Sequence, residues 1–150
     1  MTPEEMAKRI AQQDAQIQKF VNRGFGVRAG AIAKRLFQRN FELSGYQDGT
    51  LKAWKPAKRL SQTGKRARNK YKTLLSSRNH LFQSFTTEVS PMRVRISNTA
   101  EYASVHNFGE RAGRGKGFQM PQRQFMGVSI ELEREVKEMV EQEIKKIIEL

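Results

Sequence analysis

One stretch, Tyr102 to Gly127, constrains this chain more than any other. It reads Tyr-Ala-Ser-Val-His-Asn-Phe-Gly-Glu, then a Gly/Arg-rich loop, then Met-Pro-Gln-Arg-Gln-Phe-Met-Gly. Gly109 and Gly127 tolerate positive φ without a steric penalty, while Pro121 fixes its own φ and forces Met120 into an extended conformation. Tyr102, Phe108, Phe118, Met120, Phe125 and Met126 place apolar surface on both sides of a hydrophilic loop. That loop, Glu110 to Gly117, carries Gly113, Gly115 and Gly117 among Arg111, Arg114 and Lys116. It is expected to be mobile when nothing is bound to it.

The segments around this stretch predict an α+β fold: N-terminal helices, a small antiparallel β-sheet with long flexible loops, and a C-terminal amphipathic helix. Thr2-Pro3-Glu4-Glu5 has the residues of a capping box, and Met6, Ile10, Ile17 and Val21 recur at helical spacing. Gly24 and Gly26 bracket Phe25 and predict a break or kink. Ile32, Leu36, Phe37 and Phe41 resume the pattern, with Lys34, Arg35 and Arg39 read as a solvated face. Ser44 to Gly49 is a turn cluster that ends the helical half. Lys58 to Lys72 lacks apolar periodicity apart from Leu60 and reads as a long loop or arm. Strands are expected over 82–89 and 92–97, where Met92, Val94 and Ile96 alternate with polar residues. A short helix over 101–107 ending at Gly109, and a third strand over 118–125 limited by Pro121, follow. Ser129 caps a last helix with Leu132, Val136, Met139, Val140, Ile144, Ile147 and Ile148 on one stripe.

Charge is large and unevenly placed. The 150-residue chain has a formal net charge of +13, yet no acid lies between Gly49 and Thr87. From Ile130 onward the balance reverses, with Glu131, Glu133, Glu135, Glu138, Glu141, Glu143 and Glu149 on the last helix. A basic middle and an acidic end can attract within a chain or between copies. Such charge also draws nucleic acid without sequence preference. Without cysteine, neither disulfides nor thiolate metal sites are available. No apolar run approaches the length of a membrane span, and the acidic start is not expected to be a signal peptide.

The ordered pair Tyr102-Ala103-x-x-His106-x-x-Gly109 and Met120-Pro121-x-Arg123-x-Phe125-x-Gly127, with a flexible insert between and a closing helix after, resembles the phage virion morphogenesis family. These are tail-completion proteins of the kind found in the tailed phage Mu. The resemblance covers roughly Trp54 to the C-terminus and includes the family's Trp-x-Pro pair, here Trp54 and Pro56. It departs at a Thr-Gly pair before a Leu-x-x-Ser, where this chain has Arg78-Asn79 before Leu81 and Ser84. Asn79 is expected to take the left-handed conformation a glycine would. The resemblance implies one tail-completion-like domain over 1–150, with a helical part (1–43), a basic arm (49–80), a sheet and motif region (81–127) and a closing helix (128–150). It further implies a virion protein of the tail or neck, assembled in the host cytoplasm, which completes the tail or joins it to the head. Its partners would be other copies in a hexamer-like ring, together with neck and tail proteins.

Catalytic chemistry finds little support in the residues. His80 and His106 have no carboxylate or second histidine at ligand spacing, and Gly113-Arg114-Gly115-Lys116-Gly117 lacks the spacing of a phosphate loop. Ser76, Ser77, Ser84 and Ser104 have no recognisable elbow or base. The chain is read as a non-enzyme without cofactor or metal. His106 could be claimed as a general base, but it is read as structural, sharing a face with Tyr102 and hydrogen-bonding locally. Trp54 is read as a core anchor. Arg123 is expected at the sheet margin, where its guanidinium reaches a carboxylate of another subunit or partner. Arg111, Arg114, Lys116, Lys65, Arg66 and Arg68 are the other expected assembly contacts. Two functions remain open: a structural virion protein acting by ring assembly, and a small basic nucleic-acid-binding module. Against the second, aromatics and cations do not interleave on a strand platform.

Overall fold

A computed structural model describes residues 1–61 and 70–150. Lys65, Arg66 and Arg68, and with them the middle of the expected arm, lie outside the described residues. The chain has the α+β class that its sequence predicts, but among the described residues its strands form three separate antiparallel hairpins in place of one sheet.

Helix α1 spans Pro3–Lys19 and starts as the sequence requires. The Thr2 hydroxyl accepts the Glu5 N–H at 3.1 Å, and the Glu5 carboxylate accepts the Thr2 N–H at 2.7 Å. No residue of α1 is buried. A single π-helical turn over Phe20–Gly24 joins it to α2, Phe25–Leu43, with no break at the glycines. The Phe25 N–H reaches back to the Phe20 carbonyl, the wide spacing of a one-residue insertion. Gly26 serves packing: a Cβ there would meet Val89 Cγ1 at 2.5 Å and the Arg93 carbonyl at 3.0 Å.

What Gly26 and Gly30 approach is the hairpin of β3, Phe85–Ser90, and β4, Arg93–Asn98. Before it come β1, Gly45–Asp48, and β2, Thr50–Ala53, paired around Gly49 at φ 74°. The expected turn cluster is therefore half of a hairpin. Residues 80–83, whose second half falls in the expected strand from Phe82, instead form a one-turn helix, α3, His80–Gln83. It starts at Asn79, whose φ of 46° is the left-handed conformation expected of it. Met92 sits in the hairpin turn at φ 51° and is half exposed, so only Val94 and Ile96 of that expected stripe turn inward. The Met92 N–H donates to the Val21 carbonyl at 2.8 Å, tying the hairpin tip to the π-turn.

Helix α4, Ala103–Phe108, ends at Gly109 in the left-handed region. The Gly/Arg-rich loop, expected to be mobile, closes as a short hairpin of β5, Arg111–Ala112, and β6, Phe118–Gln119. Helix α5, Ile130–Ile148, is capped by the Ser129 hydroxyl, which accepts the Leu132 N–H at 3.1 Å. It lies along α2 and α1. Arg28 Nη1 meets Glu143 at 2.6 Å, and Arg35 pairs with Glu135. Part of the expected solvated face of α2 thus engages the acidic helix of its own chain.

The core is aromatic. Phe41 and Phe125 are both 0% exposed, with ring centroids 5.1 Å apart. Trp54 and Phe82 meet the Phe41 ring edge-on, each at 5.7 Å. Rings of this size contribute through buried area, and edge-to-face pairs add about 0.5–1.5 kcal/mol each.

Candidate functional site

The two sequence motifs come together, and backbone hydrogen bonds hold them. The Arg123 N–H donates to the His106 carbonyl at 2.8 Å, and the Met120 N–H to the Glu110 carbonyl at 3.0 Å. Residues 120–126 therefore run along the end of α4 in place of the expected third strand, of which only Phe118–Gln119 pairs. Gly109 is required on two counts. Its φ is +69°, and a Cβ there would meet Gln122 Cβ at 2.9 Å. Gly127 also has a positive φ, +158°, and a Cβ there would lie 2.6 Å from Gln124 Nε2 and 3.0 Å from the Tyr46 hydroxyl.

Sequence reasoning missed the residues that clamp this layer. Asn107 is buried, and its side-chain carbonyl accepts the N–H groups of Phe125 at 3.0 Å and Met126 at 3.1 Å. From the other side, the buried Asn40 donates Nδ2 to the Phe125 carbonyl at 2.9 Å while its Oδ1 accepts the Gln47 N–H at 3.1 Å. Phe125 thus has both backbone groups satisfied by side chains, as burial demands. A buried asparagine inside a helical apolar stripe was the available signal. Trp54 belongs to the same layer, donating Nε1 to the Gln124 carbonyl at 2.8 Å.

Arg123 departs most from expectation. It is 7% exposed, and no carboxylate meets it among the described residues. Its Nε donates to the Lys55 carbonyl at 2.8 Å and Nη2 to the Pro56 carbonyl at 3.4 Å. Its Nη1 has the Met120 thioether sulfur at 3.9 Å. The residue is internal because it joins the Trp-x-Pro segment to the second motif. Burial holds its pKa below the usual guanidinium range.

His106 shares a face with Tyr102 as expected, ring against ring at 5.9 Å and 90°. Its expected local side-chain hydrogen bond is not formed among the described residues, where Nδ1 is buried without a partner. Burial first, and then the Arg123 charge, lower its pKa. The exposed Tyr102 hydroxyl instead pairs with His80 Nδ1 at 3.0 Å.

The cations fall into groups. Arg111, Arg114 and Lys116 are exposed on the β5–β6 hairpin, where Arg111 donates to the Lys116 carbonyl. Arg59 closes the base of the basic segment, donating to the carbonyls of Tyr71 at 2.7 Å and of Lys72 and Leu75 at 2.8 Å. Lys55 and Lys58 are exposed beside Pro56. Among the described residues no group of three or more His, Asp or Glu side chains gathers, and no helix is long and apolar enough to cross a membrane.

These features define a class: an α+β scaffold whose two motifs lock into a polar-clamped layer over an aromatic core, with charged surfaces on either side. A family model describes it. The chain belongs to the phage virion morphogenesis family, matched over residues 5–145, and so to a family of structural phage proteins associated with the virion. No curated protein and no solved structure matches it at a significant level.

Proposed function

We propose that this chain completes the phage tail or joins tail to head in the neck, working as a ring of copies and without catalysis. The family supports a morphogenetic role. The observation that carries the assembly reading is α1, a 17-residue helix with no buried residue. Its apolar Met6, Ile10 and Ile17 stay 55%, 59% and 44% exposed. Such a stripe on water is costly unless another surface covers it. Electron microscopy of the purified protein, with complementation of a phage lacking it, tests the reading. Rings and tailless or headless particles in the deletion support it, whereas a protein that stays monomeric at all concentrations removes it.

A further inference from the structure

A cavity of about 590 Å³ lies between the basic segment and the second motif. Lys55, Lys58 and Arg123 line it together with His106, and no described lining residue is acidic. Its apolar wall includes Leu74 and Phe118, the latter 55% exposed. Lys55 and Lys58 are its exposed cations, whereas Arg123 is 7% exposed and held on the Lys55 and Pro56 carbonyls. Fixed positive charge beside apolar surface fits a carboxylate carried on an apolar face.

We infer that this cavity takes the outer face of α5 from a second copy of the chain. That face has Ile144 and Ile148, 48% and 62% exposed, with Glu141 and Glu149 against the single cation Lys145 around a shallow apolar depression. Glu135 and Glu143 are engaged on α2 and Glu131 on the Gly49 N–H, while Glu133 and Glu138, outside this depression, have no ion pair among the described residues. Glu141 has only a 3.9 Å contact with Lys137 on its own helix, and Glu149 has no ion pair among the described residues. A chain cannot fill its own cavity. Its helix is fixed at the start by the Ile130 N–H on Asp48 and at the end by Arg9 and Gln13 on the Ile148 carbonyl. Between those ends Ile144 stands about 21 Å from Ile130 along the axis. A contact between two different patches propagates from copy to copy, the geometry of a ring. A nucleic-acid backbone would supply charge but leave the apolar wall wet, so the protein face is the better fit. The inference rests on the ring reading and names its contact.

The test uses two full-length variants with changes at exposed residues. Ile144→Asp/Ile148→Asp breaks the donor face, and Lys55→Glu/Lys58→Glu breaks the acceptor. By native mass spectrometry each variant alone is expected to be monomeric where the unmodified chain assembles. Mixed one to one, they retain a single intact donor–acceptor pair and should stop at a heterodimer. Variants that assemble as the unmodified chain does, or a mixture without heterodimer, overturn the inference and leave the ring reading standing. An unmodified chain that never assembles overturns both. Loss of duplex-DNA binding by the lysine variant with assembly intact assigns the cavity to nucleic acid instead.

Discussion

The side-chain carbonyl of Asn107 accepts the backbone N–H of Phe125 at 3.0 Å, so a polar group inside α4 fixes the most buried ring of the second motif. It also accepts the Met126 N–H, so one side chain satisfies two donors, one buried and one partly buried. Asn107→Ala strands both, and the loss should be about 2–4 kcal/mol from unsatisfied amides. Chemical denaturation measures it, and a loss below that of an ordinary surface substitution would show that Asn107 is not the clamp.

Phe125→Ala empties the centre of the aromatic cluster and should cost roughly 3–5 kcal/mol. Arg123→Ala should destabilise the isolated chain as well, by about 1.5–3 kcal/mol, because it removes the charged donor joining Lys55 and Pro56 to the motif. Thermal melting of both variants decides between an internal and an external Arg123. A fully stable Arg123→Ala chain that fails only in assembly would restore the external role.

His106 gives the fold a pH dependence. Its folded pKa is lowered, first by burial and then by Arg123. The unfolded imidazole, near ~6.5, therefore takes a proton first as pH falls. The neutral-histidine contribution is fully present above that value and is lost as pH drops through it toward the folded pKa. The melting temperature should fall between pH 7.5 and 5.5, less steeply in His106→Gln. Glu131 is also lowered: burial opposes this, but hydrogen bonds from Gly49, its own N–H and Gln47, with Arg134 nearby, outweigh it. Its contribution is present above the unfolded carboxylate value of ~4.3 and lost below it, a separate window. Equal slopes for His106→Gln and the unmodified chain from 7.5 to 5.5 would place the titrating group elsewhere.

Gly26→Ala should destabilise despite the better helix propensity of alanine. The propensity gain is about 1 kcal/mol. The added methyl, however, meets Val89 Cγ1 at 2.5 Å and the Arg93 carbonyl at 3.0 Å. Overpacking of about 1–3 kcal/mol outweighs it. A variant that melts higher would mean that the hairpin slides away from α2 freely.

Binding to DNA should be independent of sequence and collapse between low and physiological salt, because phosphate neutralisation is its only visible source. Titration of two unrelated duplexes across salt concentrations tests this. Tight binding of one sequence at physiological salt would favour a nucleic-acid module.

The long helices were legible because their signals are local: the Thr2–Glu5 box, the Ser129 cap and the apolar period of α5. The β1–β2 hairpin was equally local, since Asp48-Gly49 is a strong turn pair, but short strands rich in polar residues hid it. The places of Arg123, Asn107 and Asn40 were not legible. Each is decided by which carbonyl or amide another segment delivers, tens of residues away, and residue type alone does not say that. The packing of Gly26 was not legible for the same reason, its neighbour being Val89.

The π-turn at Phe20–Gly24 sets the aim of α1. Each residue advances a regular helix by about 100°, so winding these same residues as an α-helix, without the wide turn, would swing the whole stripe of Met6, Ile10 and Ile17 through about that angle. Winding at this joint, π or α, therefore acts as a dial for the direction of an outward-facing surface, and two chains sharing the cluster around Phe41 and Phe125 could present that surface to different neighbours.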